Sequence, residues 1–144
     1  MVSAKSRLSN ESSPIPAPGM TLKILIVDDD VDIRELLAEL LESRGFDVIT
    51  AANGLEAIDL LKSMAAPPSI ILLDLMMPVM DGYAFLEERK KVAVLASIPV
   101  AIITAGHGVD RNQLGSAGAV VKKPIDPLRL VNVIDSLHAS AQSP

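Results

Sequence analysis

The sequence predicts an α/β fold, a (βα)5 doubly wound parallel sheet of five strands, and three observations carry that prediction. From Leu22 onwards, short apolar runs of strand length alternate with amphipathic stretches. Two of the runs end on carboxylates: Leu22–Val27 delivers Asp28, Asp29 and Asp30, and Ile70–Leu73 delivers Asp74. The apolar fraction is 49% with one Tyr, two Phe and no Trp, so the core is built of Ile, Leu, Val and Ala. Strands covered by helices on both faces read as such near-continuous runs. Right-handed crossovers wind them into an open sheet.

Each element follows from local pattern. Leu22–Val27 is the first strand. In Val31–Arg44 the apolar residues Ile33, Leu36, Leu37, Leu40 and Leu41 recur with helical period, and Gly45 stops the helix. Phe46–Ala51 is the second strand. Asn53-Gly54 forms a turn and helix entry for Leu55–Met64, which Pro67-Pro68 end. Ser69–Leu73 is the third strand, Asp74 to Asp81 a loop, and Gly82–Val92 a helix. Pro99 introduces the strand Val100–Thr104. A short helix around Asp110–Ala117 and the strand Ala119–Lys122 come next, interrupted by Pro124. Asp126 as N-cap and Pro127 at the first helical position open a last helix to about Ala139.

With 144 residues the chain is one domain, long enough for a proper core. Residues 1–20, rich in Ser and Pro and without periodicity, read as a disordered or extended arm. Residues 21–140 are the folded domain and 141–144 a tail, with no output domain expected. Zero cysteines exclude disulfides and thiolate metal sites, and fit a reducing compartment. A net charge of −5 argues against nucleic acid as a direct partner, because phosphate binding needs a basic face. No run approaches the ~18 apolar residues of a membrane span, and the first twenty residues lack the apolar stretch of a signal peptide. A cytoplasmic protein is expected, with neither membrane nor nucleic acid as partner.

Ligands of an open parallel sheet collect outside the carboxyl ends of its strands. There this chain offers Asp28, Asp29 and Asp30, then Asp74, then Thr104, then Lys123. Two carboxylates about 4 Å apart repel by roughly 4 kcal/mol at an effective dielectric near 20, so such a cluster calls for a cation. Mg²⁺ takes carboxylates, waters and phosphoryl oxygens in octahedral geometry. A carboxylate can also be a nucleophile and form an aspartyl phosphate, with hydroxyl, ammonium and metal balancing the charge. Neighbouring polar residues have plainer roles: Asp30 caps the first helix and Asp81 the helix that starts at Gly82. Lys122 alternates away from Lys123 on the strand. His107 is a solvated loop residue and His138 a surface one.

The segments Ile24-Leu25-Ile26-Val27-Asp28-Asp29-Asp30, Leu72-Leu73-Asp74-Leu75-Met76-Met77-Pro78-Val79-Met80-Asp81-Gly82, Thr104-Ala105 and Lys123-Pro124 resemble the signature of two-component response-regulator receiver domains. The resemblance covers Leu22 to Ala139 and implies the flavodoxin-like receiver fold. It implies that Asp74 is the phosphoacceptor. Asp29 would bind Mg²⁺ directly and Asp28 through water, Asp74 would share the same Mg²⁺ site, and the backbone carbonyl of Met76 would complete the protein ligands. Thr104 would hydrogen-bond the phosphoryl group and move with it. Lys123 would pair with the phosphoryl oxygens, or with Asp74 when that residue is unmodified, and the Lys123-Pro124 bond would be cis.

The implied function is that of a single-domain response regulator in a phosphorelay. Its phosphodonor would be a sensor histidine kinase or a histidine phosphotransfer protein, docking near Arg34, Glu35, Ala38, Glu39 and Glu42, and its output would go to a downstream protein. Such a chain is a switch more than an enzyme, although its own residues catalyse self-phosphorylation and autodephosphorylation. Two departures stand out. Many receivers carry Tyr or Phe three residues before the lysine, where this chain has Val120, and the span from Thr104 to Lys123 is a few residues short, truncating the helix between the last two strands. The change on phosphorylation is therefore expected in the loop Ala105–Asp110 and in the shortened helix that follows it, up to Ala117.

The main rival is a haloacid-dehalogenase-type phosphatase, since Val27-Asp28-Asp29-Asp30-Val31 also fits its Asp-x-Asp motif, with Asp28 as nucleophile and Asp30 as acid/base. It lacks that family's second acidic pair, having only Asp126 and Asp135, and leaves Asp74 unexplained. A flavin-binding module would need a Ser/Thr/Gly-rich first loop, which here is acidic. A receiver-shaped module that is never phosphorylated would not need all five competent positions.

Overall fold

In the computed structural model, which describes residues 21–106, 109–114 and 117–142, five parallel strands form one sheet in the order β2-β1-β3-β4-β5. The strands are β1 (Lys23–Val27), β2 (Asp47–Ala51), β3 (Ile70–Asp74), β4 (Val100–Thr104) and β5 (Ala119–Lys122). The helices are α1 (Val31–Ser43), α2 (Gly54–Ser63), α3 (Gly82–Lys90), α4 (Ala93–Ala96) and α5 (Pro127–Gln142). This is the doubly wound fold expected. The arm at residues 1–20 and His107 lie outside the described residues.

Alternation along each strand divides the core in two. Leu25, Val27, Ile71, Leu73, Val100 and Ile102 face α2 and α3, meeting Ala57, Ile58, Leu61, Phe85 and Leu86. Ile24, Ile26, Ile70, Leu72, Ala101 and Ile103 face α1 and α5, meeting Leu37, Leu41, Leu130 and Ile134. Every residue of β3 and β4 is buried, and each such Ile or Leu contributes roughly 1.5–3 kcal/mol. The helices open on side-chain caps. Asp30 accepts the amides of Asp32 and Ile33, Asn53 that of Glu56, Asp81 that of Ala84, and Asp126 that of Leu128. Each cap is worth about 1 kcal/mol.

Several expectations need correction. Leu36, placed on the core face of α1, is 61% exposed. The burial centres on Leu37 and Leu41, and Leu36 points roughly 100° away from Leu37 around the helix. The helix expected around Asp110–Ala117 is, among the described residues, one 3-10 turn, Arg111–Gln113. Asp74 ends β3 rather than starting the loop, and α5 runs to Gln142, past the expected end. His138 is partly exposed.

The short α4 was not foreseen, and a buried arginine explains how its turn is held. Arg89, within the charged run Glu87-Glu88-Arg89-Lys90-Lys91, is 2% exposed. Its guanidinium donates to the carbonyls of Ala96 (2.9 Å) and Ile98 (2.6 Å), fixing the chain just before β4. Removing it leaves two carbonyl acceptors without that donor. Arg89→Met is therefore expected to lower stability by roughly 1–3 kcal/mol, read as a shift in the urea midpoint, whereas Lys90→Met on the exposed side should change it little.

Candidate functional site

The strand register assembles the site. Val27 lies beside both Ala51 and Leu73, so β1 and β3 end side by side and carry Asp28 and Asp74 to one place. Asp74 pairs with Ile103, and Thr104 with Lys122, so the hydroxyl and the lysine loop arrive from the next two strands. Ligand oxygens of Asp28, Asp29 and Asp74 lie within 4.8 Å of one another. Asp28, Asp74 and Thr104 are buried, while Asp29 is exposed.

Asp28 is held at every polar group. Its N–H donates to Ala51 O (3.1 Å), its carbonyl accepts from Arg34 (2.8 Å), and its Oδ1 accepts the Asp30 amide (2.9 Å). Lys123 Nζ stands 3.1 Å from Asp28 Oδ2 and 3.8 Å from Asp74 Oδ2. The ammonium is thus closer to Asp28 than to Asp74, the partner expected for it. Arg34, expected on the outer docking face of α1, is half-buried and turned back to the acid loop. Thr104 Oγ1 accepts the Gly106 amide (3.3 Å), and its carbonyl accepts the Lys123 amide (2.7 Å). The Lys123-Pro124 bond is cis, as the resemblance implied.

The loop from β3 to α3 is clamped at both ends. Gly82 donates to Leu75 O (2.9 Å), and a Cβ there would stand 2.6 Å from the Asp74 carbonyl oxygen, so only glycine fits against the acid's backbone. Gly54 donates to Met80 O (2.9 Å), and a Cβ there would meet Met80 Cγ at 2.7 Å. Between the clamps, Met80 N–H bonds Pro78 O (2.8 Å) around Val79 at φ 71°, a γ-turn of the rare positive-φ kind. A β-branched residue there is strained. Met76 and Val79 project from this loop, 69% and 78% exposed.

Burial pushes the Asp74 carboxyl up from 3.8 to about 6, and repulsion from Asp28 adds to the rise; Lys123 and the Met76 N–H oppose it, and Asp29 raises it further. An all-oxygen cluster at this spacing suits a hard cation such as Mg²⁺. Without a cation, native Asp74 binds its proton more tightly than the unfolded chain does. Stability therefore falls as pH rises from about 4 to about 6, and above that the penalty is complete, on the order of 3 kcal/mol. Asp74→Asn is expected to stabilise the metal-free protein by roughly 1–3 kcal/mol at pH 8. The gain should vanish towards pH 4, where both forms are neutral at this position. Urea unfolding with a chelator across that range checks it.

A sequence-family model described as the response regulator receiver domain matches residues 24–135. A transcriptional regulatory protein, the CpxR homolog of Haemophilus influenzae, is 40% identical over 126 residues, which cover 85% of this chain and 52% of that one. Response regulator Rre1 of a Synechocystis species is 38% identical over 85% of this chain and 54% of its own length. The chain spans about half the length of the curated relatives it matches. Among solved structures, the Vibrio cholerae chemotaxis protein CheY4 superposes with a TM-score of 0.74 at 28% identity, covering 81% of this chain and 98% of that one. A Francisella response-regulator receiver domain does so at 0.74 and 26%, covering 85% and 100%. Receiver domains of this kind are phosphorylated by histidine kinases and generally bind Mg²⁺ at an acidic pocket. With its parallel sheet and the aspartates gathered at the sheet's carboxyl edge, the chain belongs to the response regulator receiver domain family.

Proposed function

We propose that Asp74 is the phosphoacceptor of this receiver and that phosphohistidine of a sensor kinase or phosphotransfer protein is its donor. The observation that carries this reading is the convergence of Asp28, Asp29 and Asp74 with Lys123 within reach of two of them. A carboxylate oxygen of Asp74 attacks the phosphorus, the P–N bond to the donor imidazole breaks, and that nitrogen leaves with the electron pair and takes up a proton. Lys123, 3.8 Å from Asp74, needs little movement to pair with the new phosphoryl oxygens. Thr104 can donate its hydroxyl proton to the phosphoryl group while still accepting from Gly106.

Asp28, Asp29, Asp74 and the Met76 carbonyl are the protein groups we assign to Mg²⁺. When bound, it would neutralise the pocket and the charge spread over the transferring group. The chain then acts as a cytoplasmic switch rather than an enzyme with a separate substrate, its own residues catalysing phosphoryl gain and hydrolysis. For donor docking we assign the exposed side of α1, with Glu35, Glu39, Glu42 and Leu36; its output is contact with a downstream protein. The phosphatase alternative is weakened by Asp28 and Asp30. Both oxygens of Asp28 are already engaged, and Asp30 is occupied as the cap of α1.

Incubation with a small acyl phosphate and Mg²⁺ should add one base-labile phosphoryl group, mapped to Asp74 by peptide mass spectrometry. Asp74→Ala should abolish it, and Lys123→Ala should slow its appearance. Label on Asp28 would instead support the phosphatase. Because only the native state has the assembled pocket, excess Mg²⁺ should raise the thermal midpoint. A midpoint indifferent to Mg²⁺ would remove the metal assignment.

A further inference from the structure

Val120 leaves β5 without a ring to answer movement at the site, yet the chain's single tyrosine stands nearby on another element. Tyr83 is the second residue of α3, directly after the Gly82 that packs on the backbone of Asp74. It is half-buried on the core cluster that also takes Val109, Ala117 and Val120. Its hydroxyl accepts the Asp110 N–H at 2.9 Å, across 27 residues of sequence. Asp110 in turn accepts the Asn112 amide (3.0 Å) and opens the 3-10 turn. On the side of the site, the same connection begins at Thr104, whose hydroxyl oxygen holds the Gly106 amide. Gly106 has φ +93°, a conformation that suits glycine, and a Cβ there would also stand 3.2 Å from the methylenes of Lys122.

One partner of the Tyr83–Asp110 hydrogen bond is thus tied to the backbone of Asp74, and the other follows Thr104. We propose that this bond is a latch: it holds the Thr104 connection in the unmodified position and opens when Thr104 is drawn to a phosphoryl group on Asp74. The inference rests on the phosphoacceptor reading and gives the switch a device on α3 that does not need an aromatic at 120. A bond made in only one of two states shifts their balance by its own free energy. A single exposed hydrogen bond corresponds to about a two- to tenfold change in the equilibrium.

Beryllofluoride, a mimic of the acyl phosphate, provides the test, with Mg²⁺ in excess. Tyr83→Phe keeps the ring and removes the acceptor, so it should bind beryllofluoride about two- to tenfold more tightly than wild type. In wild type, the Asp110 amide should be protected from hydrogen exchange and lose that protection with beryllofluoride. In Tyr83→Phe it should exchange freely in both states. A purely structural tie would lower the thermal midpoint and leave the affinity unchanged; unchanged or weaker affinity overturns the latch. So does an Asp110 amide that stays protected in the wild-type complex, a result that needs no variant. Failure of wild type to bind beryllofluoride at all would overturn the phosphoacceptor reading and the latch with it.

Discussion

Two buried carboxylates, Asp28 and Asp74, share the ammonium of Lys123, and that imbalance of charge governs much of the architecture around them. Burying the acids is unfavourable and their mutual repulsion adds to it, and both push the Asp74 pKa up. The surroundings hold them nonetheless. Parallel pairing of β1 with β3 sets their spacing, and four hydrogen bonds immobilise Asp28 through its amide, carbonyl and carboxylate. Asp74 is held more loosely, with a long 3.4 Å contact from the Met76 amide on its Oδ1 and Lys123 Nζ 3.8 Å from its Oδ2. The fixed acid is suited to orient a cation and the less encumbered one to react. Two identical side chains thereby have different surroundings, which is what the proposed division of roles between them requires.

Maintaining that arrangement requires the next loop to accept an awkward path. Gly82 lets α3 begin against the Asp74 carbonyl, and Gly54 lets α2 press on Met80. With both ends held, the chain between them closes through a positive φ at Val79, a residue type that resists it. Strain of this kind persists only where the surroundings over-determine it. Here the two helix starts do so, and the result is a loop that projects Met76 and Val79 beside the acids.

Most of the fold was legible because burial on both faces leaves β3 and β4 apolar up to their last residues, Asp74 and Thr104. The helix starts at Asp30, Asn53, Asp81 and Asp126 were also readable, since a short acceptor before an amphipathic run has one common use. The misreadings share a cause. A residue's type carries little information where tertiary contacts choose between equivalent-looking neighbours. Leu36 and Leu37 are the same residue with opposite exposure, and Arg89 is buried inside a charged run that otherwise faces water. A four-residue helix such as α4 is too short to show a period. In the site, the strand ends announced Asp28, Asp29, Asp74, Thr104 and Lys123. The nearer partner of Lys123 was out of reach, because 3.1 Å against 3.8 Å is decided by side-chain packing.

The shortened connection between β4 and β5 bears on how far a change at the site can travel. A full helix there would move as a rigid lever, carrying displacement across several turns. Among the described residues this chain has one 3-10 turn, with Leu114 buried just after it and Gly118 bonded to Val100 O at 2.8 Å. Those anchors fix the far end of the connection, so a movement proposed to start at Thr104 would be absorbed before Leu114. The Tyr83 hydroxyl, which accepts the Asp110 amide, is a described contact that would oppose it. Regions that switch are drawn from the weakly held part of a structure. If the proposed latch opens, the surface that changes is the short stretch around Asp110 and the neighbouring face of α3, rather than β5, where Val120 is a stiff β-branched side chain with few alternative rotamers.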